Sequence, residues 1–177
     1  QRITGENDLV VGTPVATRGA AETAGAIGCL INVLPVRVRF GDGVSADVET
    51  MPQLAARVQE GFLRAVDHAE LPFHEIVAAA VPARQGLRQP LVNVLLTVVE
   101  GGRPSWTLGP ASLHPVPIGA SASRFELSLT LDVGPDGIAG SLECPEEQFD
   151  EGVVAGMVMR YAASLTELVA DPAVPIA

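Results

Sequence analysis

The chain has 177 residues, a length that fits one domain or one lobe of a larger one, and its 47% hydrophobic content is enough to bury a sizeable core. It carries 11 basic against 21 acidic side chains, a net charge of −10, so no basic patch is available to neutralise a nucleic-acid backbone or to meet an anionic membrane. Every basic residue is arginine, which excludes Schiff-base lysine chemistry and a P-loop lysine within this chain.

The first eight residues have neither the basic region nor the apolar region of a signal peptide, and no uncharged apolar stretch of 18 residues occurs. Residues 1–8 read as the tail of an element and a turn, so Gln1 is expected to fall inside a longer domain. The run DLVVGTPVA (8–16) is valine-rich and predicts a strand; residues 27–40 predict a second, ending in alternation at Val36, Val38 and Phe40. Between them the small-residue stretch 18–25 predicts a loop. From Pro52, Leu54, Val58, Phe62 and Ala65 recur at helical spacing, predicting an amphipathic helix that ends near His68. Pro72 then opens a short helix, FHEIVAAAV, closed by Pro82.

Residues 91–99 (LVNVLLTVV) form a nearly continuous run of β-formers, predicting a strand buried on both faces. A Pro/Gly-rich excursion covers 101–110, and residues 112–118 predict a short edge strand limited by Pro115 and Pro117. Phe125, Leu127, Leu129, Leu131 and Val133 alternate with polar residues, and Gly134-Pro135-Asp136-Gly137 turns this strand back into 138–144 as a hairpin. Asp150 is expected to cap a final helix whose Val154, Met157, Val158, Tyr161, Leu165 and Leu168 share one face. The order β-β-α-α-β-β-β-β-α predicts an α/β fold, bordering on α+β, with a mixed sheet flanked by helices.

Chemistry is sparse. His68, His74 and His114 have no metal-ligand spacing, and no nucleophile-elbow, zincin, dinucleotide or phosphate-loop motif occurs. No metal site is expected. The acidic run from Glu143 to Glu151 reads as a solvated turn and helix start. Cys29 and Cys144 are isolated, which points to a reducing cytoplasm.

Four segments carry more: DLVVGTPVATR (8–18), IGCLINVLPVRV (27–38), HAELPFHEIV (68–77) and RQGLRQPLVNVLL (84–96). In order and interval they resemble the later core motifs of condensation domains from non-ribosomal peptide synthetases. The second is similar to that family's G-x-F-V-N-T-x-x-x-R, the third to H-Q-D-x-P-F-E and the fourth to R-D-x-S-R-N-P-L. The tail, FELSLTLDVGPDGIAGSLECPEEQFD and the helix after it, is also similar, so the resemblance runs over residues 8–172. Departures are Val33 where the family has threonine, Ala69 and Glu70 for Gln-Asp, His74 for glutamate, and Gln85, Leu87 and Gln89 for Asp, Ser and Asn.

The resemblance implies one lobe of a two-lobed, chloramphenicol acetyltransferase-like fold around a tunnel. Carrier-protein phosphopantetheine arms enter that tunnel from both sides, and the chain itself is expected to bind no cofactor. The family's catalytic H-H-x-x-x-D-G lies in the N-terminal lobe, and no two histidines are adjacent here. Residues 1–177 are therefore expected to be most of the C-terminal lobe, inactive alone, with the catalytic lobe and donor and acceptor carrier proteins as partners. The implied activity is amide-forming acyl transfer in antibiotic-type secondary metabolism. Left open are an epimerising or ester-forming relative and a non-catalytic recruitment platform.

Asn32, Val33, Asn93 and Thr97 are the implied tunnel-lining residues. Asn32 could equally satisfy a neighbouring backbone group, and Asn93 and Thr97 share one face of their predicted strand. Arg18, Arg84 and Arg88, in loops, are the implied carrier contacts. An apolar face opposite the absent lobe is expected to drive the isolated chain to self-associate.

Overall fold

The computed structural model describes residues 4–17, 23–40, 49–81, 91–101, 106–114, 116, 124–135 and 137–176. Valine and leucine alternation forms β1 (Asp8–Ala16) and β2 (Ile31–Arg39), paired antiparallel over their full lengths from Asp8↔Arg39 to Ala16↔Ile31. The second strand starts later than the expected 27–40. Its partner ends at Ala16, and the Thr17 N–H to Leu30 C=O bond (2.9 Å) closes the loop there, leaving 27–30 outside the ladder.

Helix α1 (Met51–Val66) runs back along β2, and α2 (Phe73–Ala80) follows a short connection. The start of α1 is fixed by the Gln53 side-chain oxygen, which accepts from the Thr50 N–H (2.9 Å) and hydroxyl (3.0 Å). Arg57, on α1, joins the Glu49 carboxylate at 2.7 Å and also donates to the Arg39 carbonyl, tying the helix to the end of β2.

Strand β3 (Val94–Glu100) lies parallel to β1, and β6 (Leu127–Gly134) lies parallel to β3 over seven pairs. Strand β7 (Gly137–Glu143) closes the expected hairpin, giving the order β2-β1-β3-β6-β7. The main sheet is mixed, as the alternation predicted.

Two expectations fail here. The segment 91–99 is not a strand buried on both faces: it enters the ladder only at Val94, because Leu91 takes a φ of +76°, and Val98, Val99 and Glu100 are exposed. Of the edge strand expected over 112–118, residues 115, 117 and 118 lie outside the described residues, His114 and Val116 are in no strand, and Ser112 and Leu113 fall in β5 (Ala111–Leu113). It pairs with β4 (Trp106–Leu108), inside the expected excursion, as a two-stranded ribbon apart from the main sheet.

The last helix, α3 (Glu151–Ala170), follows Asp150, which occupies the N-cap position without making a side-chain capping bond. Beyond it the chain returns to the start of α1: Pro175 bridges Thr50, and the Ile176 N–H donates to the Glu49 carbonyl at 3.0 Å. Among the described residues Leu34, Val36, Val77, Val92 and Ile176 are the buried hydrophobic core.

Candidate functional site on the sheet

Because side chains alternate along a strand, the registers assign every residue of the sheet to one of two faces. One face carries Leu34 and Val36, Val11, Val94 and Leu96, Leu129 and Leu131, and Leu142, and is almost wholly apolar. Asn32 is on this side, where the α1–α2 connection meets β2. The other face carries Val33 and Arg37, Asp8 and Gly12, Leu95 and Thr97, Ser128 and Thr130, and Ser141 and Glu143. Its outer half is a row of hydroxyls, Thr97–Thr130–Ser141, at one level across three strands.

Asn32 and Val33, neighbours in β2, therefore point to opposite faces. The Asn32 amide nitrogen donates to the carbonyls of Ala69 (2.9 Å) and Leu71 (2.7 Å), and its oxygen accepts from the Phe73 N–H (3.0 Å). The backbone-satisfying role left open by the sequence is thus filled, and one side chain holds three backbone groups of the 69–73 turn.

Val33 packs on the second face beside Gly12, in company with Leu95 and Val92. Thr97, half-buried, is two residues further along β3 than Leu95 and shares its face. Asn93 is exposed and sits in the bend before β3, where its carbonyl accepts from the Leu127 N–H at 3.2 Å. The structure thus brings Val33 and Thr97 to one face, puts Asn32 on the other, and leaves Asn93 at the sheet's end. Arg18, Arg84 and Arg88 lie outside the described residues.

Sequence reasoning passed over Thr130, Ser141 and Ser128, although their alternation with Leu129, Leu131 and Leu142 was the available signal. It also passed over Asp8. The Arg37 guanidinium clasps Asp8 through two bonds (2.7 and 2.5 Å), with Arg39 at 3.5 Å, on the face of Val33. The Arg37 hydrogen bond, with the charges of both arginines, holds the Asp8 carboxyl below its ordinary value. A depressed folded-state pKa contributes stability above the unfolded value, lost as pH falls through the folded one. We expect the melting-temperature gap between wild type and Asp8→Asn to be widest at neutral pH and to close below about pH 4. A gap constant down to pH 2.5 would show that the clasp does not titrate.

Among the described residues no group of three or more His, Cys, Asp or Glu is arranged to hold a metal ion. What the polar face offers is hydrogen bonding along an extended path, next to an apolar patch at Val33 and Leu95.

A mixed sheet of this order, flanked by helices, is the chloramphenicol acetyltransferase-like architecture, shared with solved condensation domains. The chain belongs to the condensation domain family, whose profile matches residues 1–177. It is 30% identical over 174 residues to a linear gramicidin synthase of Brevibacillus parabrevis, covering 97% of this chain and 3% of that protein. It is 31% identical over 175 residues to N-(5-amino-5-carboxypentanoyl)-L-cysteinyl-D-valine synthase of Amycolatopsis lactamdurans, covering 98% and 5%. Among solved structures it is similar to the X-domain in its complex with OxyB from teicoplanin biosynthesis, at a TM-score of 0.80 and 27% identity over 99% of this chain and 38% of that one. The chain thus spans 3–5% of the length of these two curated relatives.

Proposed function

We propose that this chain is the C-terminal lobe of a peptide-bond-forming condensation domain and that its polar sheet face is one wall of the path along which two carrier-bound thioesters meet. The observation that carries the reading is the asymmetry of the sheet. One face is apolar and meets α1 and α2 at β2; the other presents Thr97, Thr130 and Ser141 beside Val33 and Leu95, in a chain that matches the condensation family throughout.

In the reaction, the acceptor's amine attacks the donor thioester carbonyl. A C–N bond forms, the C–S bond breaks, the pantetheine thiol leaves, and the amine gives up a proton. The sequence holds no adjacent histidines. In this reading the base or positioning histidine comes from a partner lobe, while this lobe contributes alignment of the two arms. Alignment alone is worth about 7–11 kcal/mol in well-oriented systems. Arg18, Arg84 and Arg88 remain the proposed carrier contacts, and the free Cys29 and Cys144 fit a cytoplasmic location.

The test is an assay of this chain with both loaded carriers, alone and joined to an H-H-x-x-x-D-G lobe. No product alone and product when joined is the expected result; condensation by the chain alone would overturn the division of labour. A second reading, a recruitment platform without condensing activity, is favoured by the similarity to an X-domain solved in complex with OxyB. A joined domain that binds a partner protein but forms no peptide bond would select it.

A further inference from the structure

We propose that residues 171–176 form a detachable strap: seated against Glu49 and Thr50 it holds the start of α1 to the end of β2, and it lifts off while the sheet stays folded. The device is independent of the condensation reading.

The chain leaving α3 is bent by Asp171. Its N–H donates to the Glu167 carbonyl (3.1 Å), its carbonyl accepts from the Val174 N–H (3.1 Å), and its Oδ1 accepts from the Ala173 N–H (3.2 Å). A bend built from its own residues keeps its shape whether or not the tail beyond it is seated, so reseating needs little search. Past the bend, the described contacts of the tail gather at one place. Ile176 is 8% exposed, while Pro172, Ala173 and Pro175 are exposed. The Ile176 N–H donates to the Glu49 carbonyl at 3.0 Å, next to the Pro175–Thr50 bridge.

What the tail meets there is a junction. Glu49 gives its carbonyl to Ile176 and its carboxylate to the Arg57 guanidinium, at 2.7 and 2.8 Å, and Arg57 also donates to the carbonyl of Arg39, the last residue of β2. Thr50, the bridge partner of Pro175, is the N-cap residue whose N–H and hydroxyl hold Gln53. The Glu49 side chain is 22% exposed, so its pairing with Arg57 is shielded and depends on both groups being held in place. Seating Ile176 fixes the Glu49 backbone, and with it the carboxylate that Arg57 must reach. Strap, Glu49, Arg57 and Arg39 thus make one line of contacts from the end of α3 to the end of β2, across the first two turns of α1.

The parts of this line differ in strength from the sheet. Strand β6 is paired on both sides, with β3 and with β7, over seven residues each, whereas the strap is held by one bridge, one backbone bond and one buried side chain. Segments with few buried contacts open first and open alone. A pull on the chain past Ile176, or a ligand that takes its seat, is thereby passed to α1 without unfolding the sheet.

The experiment uses the full chain and reads amide hydrogen exchange residue by residue. In the wild type, the Ile176 amide should exchange at least about tenfold faster than the amides of β6. Ile176→Ser should speed exchange over residues 54–60, the first amides bonded within α1, at least about tenfold while β6 and β7 stay within about twofold. A lock does the reverse and removes no buried side chain. Thr50→Cys with Pro175→Cys, in a Cys29→Ser, Cys144→Ser background, joins a bridge pair whose Cα separation of about 4.5–5.5 Å suits a disulfide. Oxidised, it should slow exchange over 54–60 at least about tenfold relative to the same protein reduced with dithiothreitol. Exchange over 54–60 that is indifferent to the lock would overturn the proposal. So would an Ile176→Ser variant in which β6 speeds up as much as α1, or a wild-type Ile176 amide as slow as those of β6, since the tail would then belong to the global core.

Discussion

Substituting alanine for Gly12 is expected to destabilise the domain by about 1–3 kcal/mol, the cost of overpacking a closed interior. Gly12 is buried at the centre of β1, and a methyl group there would stand 2.6 Å from Val92 Cγ1, 3.2 Å from Val33 Cγ1 and 3.3 Å from Leu95 Cδ1. The first distance is well inside contact, and Val92 is 0% exposed, so it cannot swing into solvent. The backbone is not the obstacle, since Gly12 sits in an ordinary extended strand; the volume over it is already filled. Val92→Ala removes that volume and by itself costs about 1.5 kcal/mol in lost burial. The double variant Gly12→Ala, Val92→Ala should therefore be more stable than the sum of the two single changes allows, by about 0.5 kcal/mol or more. Urea unfolding of the four proteins measures this, and strict additivity would mean that Val92 is not what fills the space. The clash bears on the candidate site because Val33 and Leu95, which would have to give way, form the apolar patch beside Thr97.

The strands and helices were legible where the hydrophobic period was long and unbroken. β1, α1, the α2 start at Pro72 and the β6–β7 hairpin appear close to where alternation, helical spacing and turn residues put them. The errors have local causes. A continuous apolar run at 91–99 suggested cover on both faces, but Leu91 leaves the extended region and the last three residues of β3 meet solvent. Strand β4 has three residues inside a Pro/Gly-rich stretch, too short for any period to register. The candidate site was half legible: a motif brought Asn32 and Val33 forward together, while the two-residue period of a strand already required them to face apart.

Asn32 gives the second large effect, and its sign can be worked out from donor and acceptor identities. The amide donates twice, to Ala69 and Leu71, and accepts once, from Phe73. Asn32→Ala removes all three bonds and leaves the Ala69 carbonyl and the Phe73 N–H part-buried without their partner, while the Leu71 carbonyl stands at an exposed residue, a loss of about 1–3 kcal/mol for each group that water cannot reach. Asn32→Asp preserves size and the bond from Phe73 but turns both donors into an anionic oxygen facing two carbonyl oxygens. At neutral pH it should be the less stable of the two variants. That environment disfavours the ionised form, so the introduced carboxyl has a raised folded-state pKa. Its stabilising contribution is present below the unfolded value of about 4 and lost as pH rises through the folded one. The order of stability should thus be wild type, Ala, Asp at pH 7, with the aspartate variant rising to match or pass alanine near pH 4, where the protonated carboxyl donates to one carbonyl. Thermal unfolding of the three proteins across pH 3.5 to 8 reads this directly. An aspartate variant as stable as wild type at pH 7 would mean that the 69–73 turn does not depend on the clamp, and that Asn32 is free to serve another partner.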